Sequence, residues 1–185
     1  MKTPIIFIHG NSDVGFGRGT IDNYAEWQTG FRSLAAYFTA SGYKKAELYT
    51  TTWGNANPDL AGSNYHSKQN VTYLRKFIEA VLTYTNSSKV VIIGHSMGVT
   101  LGRKVIKGGP VVDHLAGNYS LGSSIHDKVH AFIGIAGANF GLTACYGVSP
   151  DKYPTCNKVD GFYPGLLASS APSAFLNELN VEGGP

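Results

Sequence analysis

A serine becomes a nucleophile when a tight strand-to-helix turn lifts its hydroxyl clear of the surrounding backbone, and one segment of this chain has the residues for such a turn. Gly94-His95-Ser96-Met97-Gly98 follows the apolar residues Val90, Val91, Ile92 and Ile93 and precedes a helical pattern that runs to Lys107. As a bare pattern, G-x-S-x-G says little in a chain with 23 glycines; its position between an apolar strand and a helix is what gives it meaning. The turn leaves no room for side chains beside the serine. Gly94 and Gly98 are therefore expected on steric grounds, and Ser96 is expected in a strained backbone conformation. His95 reads as an elbow residue packed beside the sheet. A serine that attacks a carbonyl needs two N–H groups for the oxyanion. Met97 supplies one, at the positive end of the helix behind the serine. Asn11 is the candidate for the other, in the turn that Gly10 permits after the first strand. The Asn11 side chain could add a polar contact. His9 precedes Ser96 in the chain and reads as support for this loop rather than as a base.

The elements that must hold these groups follow from periodicity. Residues 4–8 are a short buried strand. Tyr24, Trp27, Phe31, Leu34 and Phe38 recur at helical spacing and predict a core-facing helix, opened by a capping box at Asn23 and Glu26 and closed by Ser41-Gly42. Residues 46–53 predict a second strand, with Trp53 at its end reading equally as pocket lining or packing. A loop over 54–67, a helix from Val71 to near Asn86, a strand over 89–94 and a helix over 97–107 follow. Residues 110–128 read as irregular, 131–136 as a fourth strand, and 139–185 as loop with a short helix near 172–180. Strand and helix alternate through residue 138, which predicts an α/β class: a parallel sheet with helices on both faces and its function at the carboxyl ends of the strands.

Ile5–Ile8 with His9-Gly10 and Asn11, the 57–82 segment, the elbow at 94–98 and Gly137-Ala138-Asn139 together resemble the class 2 lipases of the α/β-hydrolase superfamily, a likeness that covers about residues 4–142. The resemblance implies an α/β-hydrolase-like sheet and a serine esterase that cleaves carboxylic esters of lipids through an acyl-enzyme, with no metal or organic cofactor. Two other classes stay open: a non-catalytic lipid-binding homologue, and an acyltransferase in which an alcohol captures the acyl-enzyme. The superfamily order is Ser, then Asp or Glu, then His. Beyond Ser96 the histidines are His114, His126 and His130. The later acids Asp151, Asp160, Glu178 and Glu182 have no histidine after them. Asp113 with one of those three histidines satisfies the order only at positions far from the family's. A strand over 131–136 that is apolar on both faces would bare a hydrophobic edge if the sheet stopped there. Chain 1–185 therefore reads as one hydrolase domain, incomplete at its C-terminus, with acid and base beyond Pro185 and little turnover on its own. An inactive homologue is the other possibility.

Composition bounds the rest. Charged residues are 15% of the 185, against about 25% in ordinary soluble domains, and the net charge of +3 forms no basic stripe. Nucleic acid is not an expected partner. The partner class is a lipid or small ester, with transient contact at a lipid interface. The longest stretch without charged residues, 129–150, is broken by glycines and too short in its apolar part to span a membrane. Cys145 and Cys156 are spaced to close a small disulfide loop, and three sequons begin at Asn70, Asn86 and Asn118. Together they predict a secreted glycoprotein. Gly15-Phe16-Gly17-Arg18-Gly19 lies too far after its strand for a dinucleotide loop. His126 and His130 lack the third ligand of a zinc site.

Overall fold

The structure is a computed structural model that describes residues 2–17, 25–165 and 171–181. In chain order the elements are β1 (Ile5–Ile8), α1 (Arg32–Ala40), β2 (Leu48–Thr50), α2 (Lys68–Thr85), β3 (Val90–His95), α3 (Met97–Lys107), β4 (Pro110–Asp113), β5 (Gly117–Ser120), β6 (Val129–Ile135) and α4 (Ala174–Asn180). Strands β2, β1, β3 and β6 lie side by side in that order, every pair parallel. Because strand side chains alternate between faces, β1 splits its apolar run. Ile6 and Ile8 join Val90 and Ile92 under α2 and α3, while Ile5 and Phe7 join Leu48 and Ile93 under α1. Both faces of the central strands are thus buried by helices, as the alternating pattern predicts. β6 is an edge strand. Phe132 packs into the α2/α3 core, but Ile133 and Ile135 remain 47% and 42% exposed.

Three expectations need correction. The first helix starts at Arg32 and not near residue 24, and Trp27 is 60% exposed. Gln28, one residue on, is buried in its place and donates to the Ser12 and Ala56 carbonyls. A turn whose buried amide satisfies loop carbonyls outcompetes a helical turn that would have buried the indole. The expected cap at Asn23 lies outside the described residues. Phe31, Leu34 and Phe38 do pack on Phe7 and its neighbours. The second strand is only Leu48–Thr50, preceded by a 3-10 turn over Lys45–Glu47. The 110–128 segment contains the antiparallel hairpin β4–β5, whose turn is closed by the Asp113 carboxylate accepting from the N–H groups of Leu115 and Ala116.

α2 is capped as a helix of its length requires. The Ser67 hydroxyl accepts from the Asn70 N–H, and Asn86 ends the helix in a left-handed conformation. Past β6 the chain runs in short turns over α3, cross-linked by a disulfide between Cys145 and Cys156. α4 then docks on α3. Glu178 meets Lys104 and Lys107, and Arg103 donates to Asn139 Oδ1, Asn180 Oδ1 and the Leu179 carbonyl. No described helix is long and apolar enough to cross a membrane.

Two histidines, His9 and His66, are wholly buried. His66 Nδ1 donates to the Asp160 carbonyl, which leaves Nε2 to accept from the Thr100 hydroxyl; the ring stacks on Phe175. Burial pushes both imidazoles from the ordinary 6.5 down to about 4. Between those values the unfolded chain binds protons that the folded one refuses. Stability is therefore full above pH 6.5 and falls as pH drops to about 4, by about 3 kcal/mol for each histidine. Denaturant unfolding at stepped pH should show this slope, and it should roughly halve in His66→Gln; a flat profile from pH 6.5 to 4 would contradict it. Removing the cross-link in a Cys145→Ser, Cys156→Ser double variant should lower the unfolding free energy by about 2–3 kcal/mol. A loss below about 0.5 kcal/mol would mean that packing alone secures this segment.

Candidate functional site

Ser96 stands between the last residue of β3 and the first of α3, with φ 51° and ψ −121°. A non-glycine residue in this region costs of order 1–3 kcal/mol and persists only where its surroundings enforce it. Here the enforcement is visible on three sides. The Ser96 N–H donates to the Ile135 carbonyl of β6 at 2.9 Å. The next turn of α3 is pressed against the end of β1, where a Cβ on Gly98 would overlap the Ile8 and His9 carbonyl oxygens. A Cβ on Gly94 would stand 2.8 Å from the Gly98 oxygen. Both glycines of the pentapeptide are thus sterically required. The serine side chain is partly open to solvent and Met97 is buried. His95 is exposed rather than buried beside the sheet, but its ring lies against the Gly10 turn: a Cβ on Gly10 would stand 3.0 Å from His95 Nδ1.

The turn after β1 sits against this serine. A Cβ on Gly10 would lie 3.1 Å from Ser96 Cβ. The Asp13 N–H returns to the Gly10 carbonyl, and Ser12 takes a positive φ of 54°. His9 anchors the turn from below. Trp53 donates its backbone N–H to His9 Nε2 and its indole N–H to the His9 carbonyl. His9 Nδ1 therefore carries the proton and donates to the Gly10 carbonyl at 2.7 Å. Neutral, buried and occupied at both nitrogens, His9 is no base for Ser96. Trp53, 2% exposed and stacked on His9, is packed here beneath the turn.

Asn64 holds the turn from the side, a role its sequence position did not disclose. Its buried Nδ2 donates to Asn11 Oδ1 at 2.7 Å and to the Asn55 carbonyl, and its Oδ1 accepts from the Asn55 N–H. The Asn11 amide donates to the Ala61 carbonyl. The Asn11 side chain is thus held within the protein through Oδ1 and one of its two amide hydrogens. Its backbone N–H has no partner among the described residues. The Met97 N–H, the first of α3, also has no partner among the described residues, whereas the Val99 N–H donates to the Ser96 carbonyl. Ala136, at the end of β6, joins Ser12 and Ser96 at this rim as a non-glycine residue with positive φ, at 49°. Asn139, two residues past Gly137, accepts from Arg103 through its side chain and from Asn180 through its carbonyl, which fixes the loop after β6.

Among the described residues no imidazole hydrogen-bonds to Ser96. His114 Nδ1 pairs with Asp160 at 2.8 Å, and Asp160 is wholly buried. Asp113 has no histidine partner; its carboxylate accepts from the N–H groups of Lys68, Leu115 and Ala116. Asp113, His114 and Asp160 converge closely enough to suggest a cation site. Their ligand atoms are already committed. Asp160 takes the His114 N–H, His114 Nδ1 and Asn157 Nδ2. His126 Nδ1 meets the Ser124 hydroxyl. Of the sequon asparagines, Asn70 lies in the first turn of α2 with its amide on the Tyr65 carbonyl, and Asn86 and Asn118 are exposed. Asn64→Ala should cost about 1–3 kcal/mol of stability through the polar atoms it strands. It should also speed amide exchange at residues 11–13; unchanged exchange there would show that Asn64 does not hold the turn.

The chain overlays on a Bacillus licheniformis lipase in its mature form, with 16% identity over 96% of this chain and 57% of that one and a TM-score of 0.50. The catalytic core of a Trichoderma reesei acetyl xylan esterase matches with 14% identity over 74% of this chain and 64% of its own, at a TM-score of 0.48. The chain thus spans less than two thirds of the length of either. The overlay on the lipase, together with the parallel sheet and its flanking helices, makes this the α/β-hydrolase-type fold. The model of the class 2 lipases, "Lipase (class 2)", matches from residue 2 to residue 184. Carried over nearly its whole length by that match, the chain belongs to the class 2 lipase family.

Proposed function

We propose that the protein hydrolyses carboxylic esters of lipids through an acyl-enzyme on Ser96. The observation that carries this reading is the backbone of Ser96, φ 51° at the β3–α3 junction, with the Gly10–Asp13 turn against its Cβ. Ser96 Oγ attacks the ester carbonyl and gives up its proton. The oxyanion forms between the N–H groups of Asn11 and Met97, neither of which needs to break another bond to receive it. Collapse expels the alcohol and leaves an acyl-serine, which water then hydrolyses. The turns of Gly94, His95 and Gly98 shape the elbow. The proton acceptor is the missing part. His9 and His66 are buried, neutral and doubly bonded, and His114 is paired with Asp160 away from Ser96. No described imidazole is hydrogen-bonded to Ser96, so the base is not identified among the described residues.

Membership of the class 2 lipases supports ester hydrolysis as the class of chemistry, and the substrate reading as lipid rests on it. The disulfide fits an oxidising, extracellular location. The engagement of His66 and His114 elsewhere favours one second reading, a lipid-binding protein on a hydrolase scaffold.

A serine with an oxyanion hole but no base retains catalysis of about 10³–10⁴-fold over water, far below that of a complete triad. The 185-residue chain should therefore hydrolyse p-nitrophenyl esters only slowly. A fluorophosphonate probe should nonetheless form an adduct that maps by mass spectrometry to Ser96 and is absent in Ser96→Ala. No adduct at Ser96, with lipid binding retained, would overturn the hydrolase reading in favour of the binding protein. Fast turnover, lost in Ser96→Ala, would mean that a base is present within this chain.

A further inference from the structure

Three sequons offer an asparagine for N-glycosylation, and the structure treats the three differently. An acceptor must meet two conditions. The transferring enzyme has to hold the asparagine amide together with the hydroxyl two residues on, and the folded protein has to let a bulky sugar project into solvent. Asn118 and Ser120 meet both on β5. Side chains two apart on a strand share a face. Asn118 stands opposite Val112 and Ser120 opposite Pro110 in the β4–β5 ladder. Val112 and Pro110 are exposed, whereas Val111 and Asp113, which alternate with them, are buried. Asn118 and Ser120 therefore lie on the outer face of the hairpin, and both are exposed. Asn86 meets the same conditions at the end of α2. Its left-handed backbone, φ 49° and ψ 33°, turns the chain out of the helix. Asn86 and Ser88 are both exposed, and the side chain of neither has a hydrogen bond among the described residues. The length of β3, about 20 Å for its six residues, separates this turn from Ser96.

Asn70 fails both conditions. It lies in the first turn of α2, where residues two apart point to different sides of the helix, so its amide and the Thr72 hydroxyl do not face one partner together. Its Nδ2, the atom that would take the sugar, donates to the Tyr65 carbonyl at 3.2 Å, and its N–H closes the Ser67 cap. Val71, between the two sequon positions, is fully buried. The competitor to glycan transfer is local here: the cap joins residues three apart and needs no distant partner to form. We propose that Asn86 and Asn118 carry N-linked glycans and that Asn70 does not. At each acceptor Nδ2 attacks the anomeric carbon of an oligosaccharide carried on a lipid diphosphate. The new N–C bond forms, the bond from that carbon to the diphosphate oxygen breaks and its electron pair leaves with the diphosphate, and the amide gives up one proton. The assignment rests on the extracellular reading drawn from the disulfide and is independent of Ser96.

The test expresses the 185-residue chain behind a secretion signal in insect or mammalian cells and collects it from cells and medium together. Peptide N-glycosidase in heavy-oxygen water converts each glycosylated asparagine to a labelled aspartate, which mass spectrometry assigns to its peptide. Label is expected at positions 86 and 118 in most molecules, with Asn70 unconverted. Ser88→Ala and Ser120→Ala change exposed hydroxyls and should each remove one glycan, seen as one step in gel mobility. Thr72→Ala should remove none. Label at position 70, a mobility step in Thr72→Ala, or the absence of label at position 86 or 118 overturns the assignment. The added signal imposes entry into the secretory pathway, so vacant sites count against the assignment and not against the extracellular reading. That reading fails separately, if Cys145 and Cys156 of the natural protein are recovered as free thiols.

Discussion

The first turn of α3 packs directly on the carbonyl oxygens of Ile8 and His9, and the rest of the site depends on that approach. It is possible because position 98 has no side chain. With α3 so close to β1, the backbone between β3 and α3 must reverse within one residue, and that residue is Ser96. The strain in its φ is therefore imposed by packing of the sheet and helix, whose apolar burial is large enough to hold it. Gly10, in contact with Ser96 Cβ, completes the same contact from the β1 side. The unpartnered N–H groups of Asn11 and Met97 are a by-product of this geometry: one lies inside a turn closed over it by the Asp13 N–H and the Gly10 carbonyl, the other at a helix end.

Polar side chains do for the loop what apolar ones do for the sheet. The Gly10–Asp13 turn has no apolar residue of its own to bury, and it is positioned by hydrogen bonds from His9, Asn64 and Gln28. Each of those groups is itself buried and fully bonded, so the network tolerates little rearrangement. A loop fixed in this way presents its N–H groups already oriented, which is what gives oxyanion stabilisation its effect.

The sheet, its helices and the elbow were legible in the sequence because they rest on local periodicity and on glycines whose absence of a side chain has an obvious steric reading. The disulfide was legible from spacing alone. Trp27 was misread because its spacing with Phe31 mimics a helix face; only the distant carbonyls of Ser12 and Ala56 reveal that Gln28 is the buried residue. The hairpin β4–β5 went unseen because its strands are four residues each and its turn is closed by a side chain, Asp113. Asn64 was invisible for the same reason: its partners lie 53 and 9 residues away. Long-range polar contacts leave no periodic trace, and in this protein they are what surrounds the candidate site.

Three adjacent strands, β1, β3 and β6, are each followed within a few residues by a non-glycine residue with positive φ: Ser12, Ser96 and Ala136. The unfavourable backbone conformations of these strands are thus collected along one rim of the sheet. This sets a bias on how the protein can be improved. Glycine at Ser12 or Ala136 relaxes the native backbone but enlarges the freedom of the unfolded chain and loosens the loop beside the serine. Stabilising substitutions are best sought away from this rim, and the rim is where rigidity and robustness have been traded against each other.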